Sequence, residues 1–222
     1  LALLLAGVIA AVLATAVTLP IWKLDGHYVS MATLALGYIV LSVIRGWDAL
    51  TKGAYGLSGI PAPEILGLRL LVAEDHYQFD LVVLAVTLFV VFRIRSSHLG
   101  NVLAAVGSDE IASRSLGLRT RGYKALAYAL AAFFAGMAGA LLAHQYNYLD
   151  PTVFTVQMSV LVLTIVVLGG INSPFGAVLG SLALVGLPEA LRLAPDVRIL
   201  LYGIVVIAII RFLPQGLWTR RA

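Results

Sequence analysis

No cysteine occurs in the 222-residue sequence, and charged residues fill only 12% of it. The first absence excludes a disulfide framework, a thiolate zinc site, an iron–sulfur cluster and a cysteine nucleophile. The second excludes an ordinary soluble domain, about a quarter of which is charged. Soluble enzyme, DNA-binding module and disordered chain are therefore poor readings. The phosphate-cradling pattern G-x-x-x-x-G-K-[ST] is missing, as are G-x-S-x-G and H-E-x-x-H, so neither an ATP site nor a hydrolytic centre of those types is present. The histidines His27, His76, His98 and His144 nowhere pair at metal-ligand spacing on one helix face. What the chain does have is apolar: 61% hydrophobic residues and a mean hydropathy of +0.99. That is the composition of an integral membrane protein.

A helix needs about 20 apolar residues to cross the hydrocarbon core. The long unbroken runs predict spans at Leu1–Ile21, Tyr28–Ile44, Tyr77–Phe92, Ala125–His144, Val156–Ile171, Gly176–Leu191 and Val197–Leu213. Continuous hydrophobicity favours helices over barrel strands, which alternate. The expected fold is therefore an all-α polytopic bundle of about seven transmembrane helices in one domain, residues 1–222. The break Gly169-Gly170-Ile171-Asn172-Ser173-Pro174-Phe175-Gly176 lets 156–191 read either as two spans or as a re-entrant hairpin. The first span carries no charge and lacks the basic start of a signal peptide, so the natural N-terminus is expected upstream.

Orientation follows the basic residues. The longest basic stretch, Arg93 to Lys124, holds Arg93, Arg95, Arg114, Arg119, Arg121 and Lys124. Placing this loop in the cytoplasm brings Lys23, Arg211, Arg220 and Arg221 to the same side, with the C-terminus. The loop Arg45–Gln78, rich in Gly and Pro and carrying Glu64, Glu74 and Asp75, then falls outside.

Within the inner loop, 93–124, a short helix is predicted over Ser108–Leu116. Ser108 can cap it, Asp109 and Glu110 favour its first turn, and Gly117 can end it. Glu110 and Arg114 stand i, i+4. At about 100° per residue, Ile111, Ala112, Ser115 and Leu116 share one arc, and Asp109, Glu110, Ser113 and Arg114 the other. About 12–14 Å of helix can neither span nor stand alone. It either packs its apolar arc on its own spans or inserts that arc into a partner.

This segment also carries a resemblance. Ala104-Ala105-Val106-Gly107-Ser108-Asp109-Glu110-Ile111-Ala112-Ser113-Arg114-Ser115-Leu116-Gly117-Leu118, followed by Tyr123-Lys124, resembles the coupling segment of ABC-importer permeases for branched-chain amino acids, and most closely the LivM-type subunit. Gly107 and Ser108 depart from the basic and acidic residues common there. The similarity continues through Ala132–Ala140, Asp150-Pro151, Val167-Leu168-Gly169-Gly170 with Ser173 and Gly176, Leu187-Pro188-Glu189 and Pro214-Gln215-Gly216-Leu217. Upstream, Leu24-Asp25-Gly26-His27-Tyr28 and Leu57-Ser58-Gly59-Ile60-Pro61 also fit. Family members extend further at the N-terminus.

The resemblance implies a multi-pass permease of the bacterial cytoplasmic membrane that is not itself an enzyme. Ala105 to Tyr123, including Arg119, Thr120, Arg121 and Gly122, would be the ATPase-coupling segment. The implied partners are two cytoplasmic ATPase subunits, which would bind ATP and Mg, a second related permease, a periplasmic substrate-binding protein and the lipid bilayer. No cofactor in this chain, no metal and no nucleic acid are implied. Urea or a short amide is the alternative cargo; a secondary carrier and a non-transporting membrane subunit are the other classes. No predicted span has Asp, Glu or Lys near its centre, which counts against an ion-driven carrier.

Three lesser features have plain readings. His144, with Gln145 and Asn147, reads as an interfacial polar cap, the alternative being a substrate contact. The tracks Ala132/Gly136/Ala140 and Ala131/Ala135/Gly139/Ala143, and the pair Gly176/Gly180, read as close helix packing, with path lining as the alternative. Glu189 and Arg192 form a local helix pair, and Arg211 can snorkel.

Overall fold

The apolar runs become helices. In this computed structural model residues 2–18, 27–61, 64–65, 68–69, 73–170 and 173–186 are described. They fall into two compact units, Leu1–Val153 and Phe154–Ala222. The predicted span Val197–Leu213, the motifs Leu24-Asp25-Gly26, Leu187-Pro188-Glu189 and Pro214-Gln215-Gly216-Leu217, and Lys23, Arg192, Arg211, Arg220 and Arg221 lie outside the described residues.

The first unit holds α1 (Ala2–Thr18), α2 (His27–Gly46), the single turn α3 (Asp48–Thr51), α4 (Ala73–Arg95), α5 (His98–Ser108), α6 (Glu110–Ser115) and α7 (Thr120–Tyr146). Of these, His76–Arg95 and Thr120–Tyr146 are each long and apolar enough to cross a membrane, and α1 is a shorter apolar helix. Five of the predicted spans thus coincide with helices, α8 below included, and the predicted span from Gly176 coincides in part.

Sorting on α1 is by size, because nearly every residue is apolar. Ala6, Gly7, Ala10, Ala14 and Thr18 turn inward, while Leu4, Leu5, Val8, Ile9, Val12 and Leu13 face outward. The hydroxyls of Thr15 and Thr18 each donate to the carbonyl four residues back, at 2.6 Å, so neither polar group is left unpaired. The small stripe meets α7. A Cβ on Gly7 would stand 2.8 Å from the Phe133 ring and 2.9 Å from the Phe133 carbonyl oxygen. Backbones can approach this closely only over small residues.

The described residues of the Arg45–Gln78 loop form several short elements. α3 folds back on α2, where the Thr51 hydroxyl donates to the Ile44 carbonyl. Two short antiparallel pairs follow. β2 (Glu64–Ile65) pairs with β3 (Leu68–Arg69), and β1 (Leu57–Ser58) pairs with β4 (Tyr148–Leu149), which begins just beyond α7.

In the second unit α8 (Val156–Gly169) and α9 (Pro174–Ser181) are bent 119° from one another, and α9 runs on into a π-helical turn, Leu182–Gly186. Ser173 caps α9 by accepting the Gly176 N–H at 3.2 Å, with Pro174 at the first helical position. The crossing needs its glycines. A Cβ on Gly169 would lie 2.0 Å from the Gly176 carbonyl oxygen, and one on Gly180 would lie 2.4 Å from that of Ile165. Ile165, Leu168 and Leu184, with Leu161 against them, form the apolar centre of this hairpin. At about 1.5 Å per residue α8 is roughly 21 Å long, short of the ~30 Å hydrocarbon core.

Candidate functional site

The segment between α4 and α7 is built by two helices, where the sequence predicts one. α5 starts at Ser97, whose hydroxyl accepts the Gly100 N–H, and it buries Val102 and Val106. It ends at Ser108. The Ser108 hydroxyl donates to the Ala104 carbonyl at 2.8 Å, so it is spent inside α5 and does not cap the next helix. Asp109 does that instead. Its extended backbone (φ −150°, ψ 107°) breaks the helical path, and its carboxylate accepts the Ala112 N–H at 2.9 Å. The expected helix Ser108–Leu116 is therefore corrected to Glu110–Ser115, with Asp109 at its head. Gly117 ends it as expected. Its φ of +81° is paired with Gly117 N–H to Arg114 O (3.0 Å) and Leu118 N–H to Ser113 O (3.2 Å), the double closure of a Schellman motif.

The two faces of α6 are disposed in reverse of a surface helix. Ser113 and Thr120 are each 3% exposed, and Glu110 is half-buried. Ile111 and Leu116 are 80% and 81% exposed, and Ala112 and Ser115 are exposed beside them. Of the polar arc, Ser113 and Glu110 therefore face the chain while Asp109 and Arg114 stay exposed, and the apolar arc faces away. Among the described residues, the apolar arc packs on none of the chain's spans. Burying an Ile or Leu side chain is worth about 1.5–3 kcal/mol, so this arc forgoes a gain that a complementary surface would supply.

Glu110 ties α6 inward. Its carboxylate accepts from Arg114 Nη2 at 3.0 Å, the expected i, i+4 pair, and also from Lys124 Nζ on α7. The hydrogen bond from Lys124 holds the carboxyl below its ordinary range, with Thr120 and Arg114 adding to the effect against a smaller opposing cost of burial. Lys124 lies one residue beyond the predicted coupling segment Ala105–Tyr123; the resemblance and its basic character mark it, but neither points to Glu110 as its partner. Elsewhere in the segment Val106 is buried, Leu118 and Tyr123 are half-buried, and Ala105, Gly107, Arg119, Arg121 and Gly122 are exposed.

At the opposite end of α7, His144 Nδ1 lies 2.9 Å from the Pro61 carbonyl oxygen and the Tyr148 hydroxyl donates to the Tyr55 carbonyl at 2.8 Å. His144 thus pins the Arg45–Gln78 loop to the helix, in keeping with a polar cap. The two small-residue tracks of α7 part company. Gly136 is packed on α1, whereas a Cβ on Gly139 would meet nothing within 4 Å. The stripe on α1 and the helix α5 are structural features that motif reading overlooks; in both, small or sparse apolar residues recur at helical spacing. Among the described residues no group of three His, Asp or Glu side chains could hold a metal ion.

Residues 1–210 match the family described as branched-chain amino acid transport system / permease component. The high-affinity branched-chain amino acid transport system permease protein LivM of Escherichia coli (strain K12) is 32% identical over 96% of this chain and 56% of its own length. LivH of the same strain is 33% identical over 63% of this chain and 44% of its own length, and BraD of Pseudomonas aeruginosa 32% identical over 63% and 45%. The chain spans about half the length of the curated relatives it matches. No solved structure matches it.

Proposed function

This chain belongs to the permease components of branched-chain amino acid transport systems, and on that premise we propose that it is a transmembrane subunit of an ABC importer for leucine, isoleucine and valine. In this reading it sits in the bacterial cytoplasmic membrane as part of a bundle of about seven helices, with the Arg93–Lys124 segment and the C-terminus in the cytoplasm. Two ATPase subunits bind ATP and Mg, a second related permease completes the path, and a periplasmic binding protein delivers the amino acid near the Arg45–Gln78 loop. The chain contributes the path and the coupling segment Ala105–Tyr123. It does not hydrolyse ATP itself, in keeping with the missing phosphate loop.

The observation that carries the reading is the outward apolar arc of α6. Ile111, Ala112 and Leu116 form a ridge held out by a hydrogen-bonded polar face, a shape suited to a groove on an ATPase. A path free of strong fixed charge also suits a zwitterion with an aliphatic tail, which must leave as readily as it enters.

The test is uptake into proteoliposomes holding the chain with its second permease and ATPases, supplied with the binding protein. ATP-dependent accumulation of leucine is expected. Accumulation of urea in its place would change the cargo, and uptake without ATP would replace the importer by a secondary carrier.

A further inference from the structure

Among the described helices, α7 is bonded at both ends to the two segments that the proposed function sets on opposite sides of the membrane. At one end Lys124 and Thr120 both reach the Glu110 carboxylate, and Thr120 is buried. At the other, His144 meets the Pro61 carbonyl, and β4 pairs with β1 directly after the helix. Between them runs one uninterrupted helix of 27 residues, about 40 Å at 1.5 Å per residue. It contains no proline, and its middle is braced where Gly136 packs on α1.

The nature of the α6–α7 contact matters as much as its place. Apolar surfaces slide over one another at little cost, whereas hydrogen bonds are directional. α6 turns a carboxylate toward α7, and α7 answers with a threonine and an ammonium group. One carboxylate reaches both helices, Arg114 within α6 and Lys124 on α7. Such a bracket carries both pull and push.

We propose that α7 is a lever joining the coupling segment to the Arg45–Gln78 platform, and that Glu110, through Lys124, is the positioning residue that fixes α6 to it. The inference rests on the importer reading and adds to it which helix carries the motion and which bond transmits it. Its warrant is spatial, a continuous set of contacts with defined ends, and the coupling itself is what the variants measure. A displacement of α6 by the ATPase moves α7 and shifts the platform; loading of the platform moves α6 by the same linkage in reverse.

The test is a charge exchange in the full chain, assembled with its partner subunits in nanodiscs. Glu110→Lys, Lys124→Glu, the double exchange and the milder Glu110→Gln are compared by amide hydrogen exchange over 110–116. The same samples give the stimulation of ATP hydrolysis by loaded binding protein. Each single reversal is expected to raise exchange in α6 by roughly three- to tenfold and to abolish stimulation, with Glu110→Gln in between and the double exchange recovering both in part. Its lysine at 110 regains the partner at 124 but stands i, i+4 to Arg114. His144→Ala, at the far end, is expected to leave α6 protected yet to lower stimulation. Wild-type protection in the single reversals, or no recovery in the double exchange, overturns the role of Glu110. Full stimulation in His144→Ala overturns the lever. If the wild-type assembly fails to take up any cargo with ATP, the importer reading is what fails, while the exchange data still decide whether Glu110 holds α6.

Discussion

Gly136 of α7 faces Ala10 of α1 so closely that a Cβ on the glycine would stand 2.5 Å from the alanine's own, and 2.7 Å from the Ala6 carbonyl oxygen. In lipid there is no hydrophobic drive between helices, so association depends on this kind of surface fit. The contact makes α1 a brace for α7 and leaves its large side chains, Leu4, Leu5, Val8 and Ile9, turned outward.

Gly136→Leu should therefore break the α1–α7 pair. Overpacking of a filled contact costs typically 1–3 kcal/mol, and here the obstruction is partly backbone, which cannot rotate aside. Gly139→Ala, three residues on, meets open space and should be neutral or gain up to about 1 kcal/mol from helix propensity. Thermal unfolding of the two variants in detergent checks the contrast. Equal loss in both would show that the two faces of α7 are alike.

How far the sequence foretold this arrangement differs from element to element. The spans are legible because hydropathy integrates over some twenty residues, and the stop at Gly117 because a left-handed residue is a local demand. The division of labour between Ser108 and Asp109 is not, since either can cap and only the preceding helix decides which is left over. α5 escapes notice because it buries just Val102 and Val106, too sparse a signal within a basic loop. The stripe on α1 is invisible to hydropathy, where Ala and Leu both count as apolar; residue size is the variable that reveals it. Lys124 looks like one more topological cation until the fold brings Glu110 to it.

The Glu110 contact has a definite pH signature. Its carboxyl is held below the ordinary glutamate value of 4.5, so its contribution is present above that value and fades as pH falls through the lower, folded one. Docking of α6 on α7 should accordingly be flat from pH 8 to about 5 and loosen only in stronger acid. Spin labels at Ser115 and Gly122, both exposed, report the separation of the helices. Glu110→Gln should remove the acid transition. A transition near neutrality in the native sequence would mean that a histidine, and not Glu110, controls the contact.

Sidedness rests on the basic residues of the 93–124 loop and can be read by labelling. Ser113 is a poor reporter, being 3% exposed, but Ser115 and Ser58 are both exposed. With no native cysteine to interfere, Ser115→Cys should react with an impermeant maleimide only from the cytoplasmic side of sealed vesicles, and Ser58→Cys only from the other. Reaction of both from one side would place both ends of α7 on the same face and undo the topology.

The last prediction concerns the ridge on α6. Ala112 lies exposed between Ile111 and Leu116, and among the described residues its side chain supports nothing; only its backbone is used, the N–H in the bond to Asp109 and the carbonyl accepting the Leu116 N–H. Ala112→Arg therefore keeps the cap, the Schellman closure and the Glu110 bracket, and arginine is a good helix former. The chain should insert and accumulate at its normal level, with unfolding unchanged within about 0.5 kcal/mol. In a partner's groove, however, the same guanidinium would be taken out of water without a counter-charge, a penalty of several kcal/mol, equivalent to a 10²-fold or greater loss of affinity at about 1.4 kcal/mol per decade. Co-purification of the ATPase with the variant and ATP-driven leucine uptake measure this directly, and both should be lost together. Retention of both in Ala112→Arg would show that the ridge contacts no partner, and the coupling segment would have to be sought elsewhere in the chain.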